Sequence, residues 1–354
     1  MNTKRRISIK DIAAEVGVSH PVVSTVLSGG SSTTKVSKET RQKVLEAAER
    51  MGYQKDILSQ SFKNQRSYLI GVLLSGVNHP YAADFTFGMQ EVVSTKDYAP
   101  ILFTHRTRHQ EDAFVQRCLD RRVEGLIVNC AVDPDGSENA KRLSELSRSV
   151  PMVEVFGRFI DKVPSVNLGY EEAGRLSVET LLAMGHSKIA LFTHDRYLTS
   201  KKTGKGLYWN AYEHWKGYAK ALKKKRKTPL VKTHPLPSDL IHTGALYRSA
   251  SDSVMGLFSG PERPTALVCM AEEQAEAVLN TIDRKQIAVP ENFHIVSLGG
   301  YSFSAGSDPR VTTLYEPVMQ MGTKAAEAIF DLIEGRRAKN CSLSPLTSQG
   351  AAEG

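Results

Sequence analysis

Along positions 7–27 the apolar residues fall at helical spacing. Ile9, Ile12, Ala13 and Val16 stand at i, i+3, i+4 and i+7, which predicts one amphipathic helix. Gly17-Val18-Ser19 breaks it. Ser19 can cap a second helix, with Pro21 in its first turn and Val22, Val23, Val26 and Leu27 on its apolar face. Gly29-Gly30 and a Ser/Thr run end that helix, and Ser37 caps a third, SKETRQKVLEAAERMGY, in which Val44, Leu45, Ala48 and Met51 are expected to face inward. Two short helices joined by a tight glycine turn form a helix-turn-helix, whose second helix fits the major groove of duplex DNA. The pattern therefore implies a DNA-reading head, although a helical domain of any purpose can contain helix, glycine, helix.

From Tyr68 the period changes. Apolar strands alternate with helical patterns: SYLIGVLLS, a helix over 85–94, APILFT, a helix over 111–121, EGLIVN, a helix over 141–147, then PMVEVF. A second set brings KIALFT, a helix over 209–225, another over 245–258, TALVCM, a helix over 272–284, and HIVSL. Such alternation implies parallel strands with crossover helices, hence doubly wound sheets in two lobes. Ligands of open α/β sheets sit beyond the carboxyl ends of the strands, so the loops there are the candidates for binding. Between head and body, DILSQSFKNQR is amphipathic but too short for a stable helix alone in water.

Composition sharpens this picture. The 354 residues suit two or three domains, and the net charge of +8 is concentrated at one end. Up to Arg66 there are twelve Lys and Arg against six Asp and Glu, an imbalance that suits phosphate, or simply a basic surface. Cys118, Cys130, Cys269 and Cys341 show no paired spacing, so neither a disulfide framework nor a zinc ribbon is indicated. No apolar run is long enough to span a bilayer and no hydrophobic signal segment is seen, which predicts a cytoplasmic protein without membrane contact. A nucleophile elbow, a Walker loop and a dinucleotide fingerprint are all lacking, so hydrolase, NTPase and dehydrogenase readings have no starting residue. His105 and His109 lie four apart among arginines and are read as solvated; no catalytic residue, metal site or cofactor is expected. Lys223-Lys224-Lys225-Arg226-Lys227 is read as a favourable, solvated helix end.

KDIAAEVGVS, VVSTVLSG, VSKETRQKVLEAAERMGY and SYLIGVLL resemble the lactose-repressor/galactose-repressor (LacI/GalR) family of bacterial transcription regulators. The resemblance continues through VNHPYAADFTFGMQEVV, RRVEGLIV, EEAGRLSVETLLAMGHSKIALF, RPTALV, DPRVTTLYEPVMQMG and AIFDLIEG, in the family's order. It implies a small all-α helix-turn-helix head over 1–55, a hinge over 56–67, and an α/β two-lobed body like periplasmic sugar-binding proteins over 68–340. The first lobe would take 68–167 and 316–335, the second 168–315, and 341–354 would be a loose tail. The implied function is a regulator, expected to repress, that binds a semi-palindromic DNA operator as a homodimer and answers to a small-molecule effector, expected to be sugar-like. The competing reading is a sugar-binding protein or enzyme of the same fold whose head is incidental.

By the same resemblance His20, Pro21 and Thr25 face bases, Ser19, Ser24 and Thr40 reach phosphates, and Lys10 and Gln60 lie against DNA. Phe62 stands where relatives wedge an apolar residue, commonly leucine, into the minor groove. Asn78-His79-Pro80-Tyr81 matches an effector loop, and Phe156, Arg158, His214, Glu272, Gly299 and Glu316 complete the expected effector-binding set. Tyr208, Trp209, Tyr212 and Trp215 are equally readable as cleft or as core. The departures are pointed. His214 stands in place of a hydroxyl-binding arginine, Ala271-Glu272 in place of Asn-Asp, Ser297-Leu298-Gly299-Gly300 in place of Gly-Phe-Asp-Asp, and Phe156 in place of an aspartate. An ordinary hexose is therefore not assumed.

Overall fold

The computed structural model describes residues 7–27, 36–54, 61, 64–75, 81–105, 108–129, 137–160, 162–202, 206, 208–236, 244–259, 261–300 and 308–347. The chain divides into two compact units, Met1–Arg66 and Ser67–Gly354.

In the first unit the described helices are α1 (Ile9–Val16), α2 (His20–Leu27) and α3 (Lys38–Arg50). Ser8 and Asp11 form a reciprocal capping box at the start of α1, and Gly17, at φ 73°, ends it in a left-handed cap. Ser37 caps α3 through the amide of Thr40. Ile12, Ala13, Val23, Val26, Val44, Ala47 and Ala48 close the core. Leu45 departs from its expected inward place: it is 43% exposed, and Ala47 is buried instead. Positions 44, 47 and 48 share one face, whereas 45 lies a hundred degrees away from 44.

The second unit carries two parallel sheets. Strands β1 (Leu69–Ser75), β2 (Ala99–His105), β3 (Gly125–Val128), β4 (Met152–Val155), β5 (Ser165–Leu168) and β11 (Cys341–Leu343) form the first, in the order β11-β5-β4-β3-β1-β2. Strands β6 (Ile189–His194), β7 (Leu230–His234), β8 (Ala266–Cys269), β9 (His294–Gly299) and β10 (Val311–Tyr315) form the second, in the order β10-β9-β8-β6-β7. Every neighbouring pair in both sheets is parallel. The central strands are buried on both faces, as their unbroken apolar runs require.

Helices α4 (Tyr81–Ser94), α5 (Arg108–Asp120), α6 (Ser137–Leu146) and α11 (Val318–Ile333) serve the first lobe. Helices α7 (Tyr170–Ala183), α8 (Trp209–Lys224), α9 (Ala245–Leu257) and α10 (Glu272–Lys285) serve the second. The chain crosses between lobes at Gly169 and again after Tyr315, because α11 returns to pack on α4. The expected loose tail is corrected at its start. Cys341–Leu343 pairs with β5, and Leu346 bridges Tyr315. This segment completes the edge of one sheet and hydrogen-bonds to the other lobe, which no local composition announces. Among the described residues no helix is long and apolar enough to cross a membrane.

Candidate functional site

In the head, Ser19, His20, Pro21 and Lys10 are exposed, Ser24 and Thr25 half-buried. Val23 and Val26 point the opposite face of α2 into the core, so the polar face of this helix is turned away from it. The Ser19 carbonyl accepts from Val22 and Val23 and holds the first turn. The Thr40 hydroxyl sits 2.9 Å from Ser37 Oγ, within the α3 cap. Arg50 of α3 pairs with Glu15 of α1 at 2.5 Å. Gln60 and Phe62, like Asn78, lie outside the described residues.

In the body, two cavities open where the strands of both lobes end, and they share Met270, Ala271 and Glu316 in their walls. One, of about 130 Å³, is lined by Tyr81 and Phe156 from the first lobe and by Glu272, Glu273, Leu298 and Gly299 from the second. The other, of about 240 Å³, lies deeper in the second lobe, among Tyr170, Thr193, His194, Tyr208, Asn210 and Gln274. Each lining residue sits at or just after the carboxyl end of a strand or at the start of the helix that follows, as open α/β sheets require.

Five expected effector residues, Tyr81, Phe156, Glu272, Gly299 and Glu316, thus meet in one wall. The Phe156 ring leans on Tyr81 at 4.8 Å and on Phe85 at 5.4 Å. Its backbone is left-handed, at φ 56°, a strained state for an aromatic residue. Glu272 opens α10, accepts the amide of Gly300 at 2.7 Å, and packs on Gly299, whose φ of 143° and crowded Cβ position suit glycine. Arg158 differs: its side chain is exposed and lines neither cavity, while its carbonyl accepts the amide of Gly206 at 2.8 Å.

His214 is corrected outright. It is 1% exposed, inside the α7–α8 contact, and lines neither cavity. Burial pushes it down to about 4, so it is uncharged at neutral pH and cannot tune a response there. The aromatic run around it divides. Tyr208 lines the deeper cavity, whereas Trp209 edges Tyr170 at 5.9 Å and Tyr212 stacks on Trp215 at 5.7 Å.

The deeper cavity holds groups that pattern reading passes over. His194 ends β6, and its Nδ1 accepts the amide of Arg196 at 3.2 Å. Burial, then the neighbouring His234, bring it down to about 4, so it is neutral with Nε2 as the donor. Gln274 Oε1 accepts from Met270 and Ala271, which leaves its amide nitrogen to donate to His234 Nε2 at 2.8 Å. His194 could have been found as a polar residue ending an apolar strand. Gln274 carries no such mark, because its place follows from the start of α10. A third, larger cavity of about 530 Å³ runs along α7 and α8, away from the ends of the second sheet's strands. Its charged rim is largely self-paired, Glu171 with Lys216 and Lys220, and Arg175 with Glu172 and Glu179.

Residues 8–56, which contain the three-helix head, match the family model described as bacterial regulatory proteins, lacI family. Residues 178–348 match a periplasmic binding protein-like domain. The chain thus joins a head that matches the lacI-family model to a periplasmic-binding-protein-like body. It is a DNA-binding transcriptional regulator with a ligand-binding body. The regulator is 28% identical to the HTH-type transcriptional repressor PurR of Aliivibrio salmonicida, over 93% of each chain. It is 25% identical to catabolite control protein A of Priestia megaterium, over 90% of each. Its fold is that of the lac repressor dimer bound to operator and the anti-inducer ONPF, with a TM-score of 0.72 and 21% identity, covering 96% of this chain and 97% of that one. A CelR–cellobiose complex aligns at 0.62 and 20% identity, covering 97% and 98%.

Proposed function

We propose that this regulator is a repressor that binds a semi-palindromic operator as a homodimer and changes its DNA affinity when an uncharged, hydroxyl-rich small molecule fills the two joined cavities between its lobes. The carrying observation is the composition of their walls. Aromatic rings from Tyr81 and Phe156 stand beside Glu272, Glu316, Asn210, Thr193 and Gln274, and no Lys or Arg is found among the described lining residues. Rings offer faces to sugar C–H groups and the polar side chains bind hydroxyls, whereas a phosphate or carboxylate would meet glutamates. The cellobiose held by the structurally similar CelR fits this reading.

Homodimerisation follows from affinity. One head makes too few phosphate contacts to bind tightly, while two tethered heads on half-sites about 10 bp apart act as one unit. On the first lobe Phe87, 64% exposed, and Met319, 38% exposed, offer apolar surface to a second copy. A ligand with different affinities for two arrangements of the lobes would then shift operator binding by a coupling of about 1 to 3 kcal/mol.

The test is a thermal-shift screen of neutral sugars, purine bases and sugar phosphates on the full chain. A binder at a hundred times its dissociation constant adds about 2.7 kcal/mol. Stabilisation by a neutral sugar is expected, and stabilisation by sugar phosphates alone would refute the assigned class. Tyr81→Ala and Glu272→Gln are expected to weaken the stabilising sugar about tenfold or more while leaving the ligand-free melting point nearly unchanged. Unaltered affinity in both variants would place the site elsewhere.

For the operator, Thr25 stands on the half-exposed side of α2, and arginine placed there would be the side chain best suited to bidentate guanine recognition. Thr25→Arg is expected to change base preference at one half-site position, whereas Lys10→Ala weakens all sequences alike. Selection of random duplexes reads this directly, and identical half-site preferences for wild type and Thr25→Arg would reject the assignment.

A further inference from the structure

One loop of the body touches both the cavity and the opposite lobe. Residues 156–160 follow β4, and they set the Phe156 ring in the wall of the 130 Å³ cavity. Two residues later the Arg158 carbonyl accepts the amide of Gly206, which belongs to the second lobe between β6 and α8. The loop is therefore a joint between ligand space and lobe contact.

Two buried polar side chains from the strands beneath hold it. Glu154 of β4, fully buried, accepts the amide of Phe159 at 2.6 Å on Oε1 and that of Ile160 at 3.2 Å on Oε2. Asn167 of β5, 3% exposed, donates from Nδ2 to the carbonyl of Gly157 at 2.9 Å. A carboxylate in the middle of a parallel sheet is costly, and an apolar residue would pack there without that cost. Burial pushes Glu154 up to about 7, while the amides of Ile160 and Phe159 and the charge of Arg158 pull it back. The loop also carries a strained Phe156 backbone, at φ 56°, which persists only where surrounding structure over-determines it.

We infer that Glu154 and Asn167 are positioning residues: they fix the 156–160 loop so that it presents Phe156 to the cavity and the Arg158 carbonyl to Gly206, making this loop a built-in link between cavity and lobe closure. This rests on the interlobe cavities being the effector site, but its test needs no effector. A side chain that merely fills the sheet would support its own loop and nothing beyond. A positioning role requires that loosening the loop be felt across the cleft.

Glu154→Gln keeps the shape but turns an amide group toward one of the two backbone donors, so one acceptor is lost. Asn167→Ala removes the second hold from a different strand. The experiment is site-resolved amide hydrogen exchange on the full ligand-free chain. In each variant the amides of Phe159 and Ile160, or the loop around Gly157, are expected to exchange about tenfold faster or more. Gly206, on the other lobe, should accelerate with them, while the amides of β1 and β9 change less than about twofold. Gly206 unchanged in both variants would reduce the pair to local loop supports and overturn the inference. Acceleration spread evenly over β1 and β9 would overturn it too, as a general loss of stability. A variant that fails to fold leaves the other to decide. A failed sugar screen would leave this result intact, so the two readings fall separately.

Discussion

Replacing Gly217 by alanine is expected to destabilise the body by about 3 kcal/mol or more, against the sign that helix propensity alone gives. Gly217 sits inside α8, where alanine would ordinarily gain up to about 1 kcal/mol. A Cβ there would lie under 3.0 Å from the Glu171 carbonyl oxygen of α7, and backbone cannot swing away as a side chain can. The contact is reciprocal, since a Cβ on Gly174 of α7 would strike the His214 carbonyl of α8. The first lobe repeats the device: Gly88 of α4 faces the Met319 carbonyl and Gly322 of α11 faces that of Phe85. Gly88→Ala should therefore cost as much as Gly217→Ala. Gly256 of α9 has nothing within 4 Å of its Cβ position, so Gly256→Ala is the control and should stabilise slightly. Urea unfolding at constant slope measures all three. If Gly217→Ala unfolds at the wild-type midpoint, the helix backbones are not in contact as described.

The second large effect is acid instability. His214 is 1% exposed and its Nε2 has no hydrogen-bond partner among the described residues, and burial brings it to about 4 against 6.5 for the ordinary group. In the unfolded chain it takes up a proton near pH 6.5; in the folded chain it resists until about pH 4. Its contribution is thus fully present above pH 6.5 and is lost as the pH falls through that window, amounting to about 3 kcal/mol. His194, also held near 4, acts in the same direction. His214→Leu fills a similar volume without a titrating group. Unfolding free energies at pH 7 and pH 4.5 should accordingly lie closer together in the variant by about 2 kcal/mol. An equal pH dependence in both proteins would mean that His214 is solvated. Effector binding near neutral pH should be indifferent to this residue.

The three head helices were readable because a small core needs a narrow apolar stripe, and Ile12, Ala13, Val23 and Val44 keep its period. Leu45 misled because one apolar residue beside the stripe looks like part of it. Strands such as β3 and β8 were readable as buried apolar runs. SVNL and VTTLY were not, since Ser165, Asn167 and Thr313 break the run although all are buried. In the wall of the interlobe cavity, Tyr81, Glu272, Gly299 and Glu316 came from correspondence of motifs. His214 failed by the same route, because a matching position in sequence does not fix which face of α8 it occupies.

Most of the elements were legible in the order of residues, because helix and strand periods, caps and turn residues act over a few neighbours. The family resemblance was legible in the same way, its motifs running in order through nearly the whole chain. Only the folded chain shows that Cys341–Leu343 closes a sheet edge, and that Gly88, Gly174, Gly217 and Gly322 are sites of backbone contact. It also shows that Glu154 and Asn167 grip the loop behind Phe156. These depend on groups far apart in sequence meeting at distances below about 4 Å, and burial, hydrogen bonding and steric exclusion act only once the chain has brought them there.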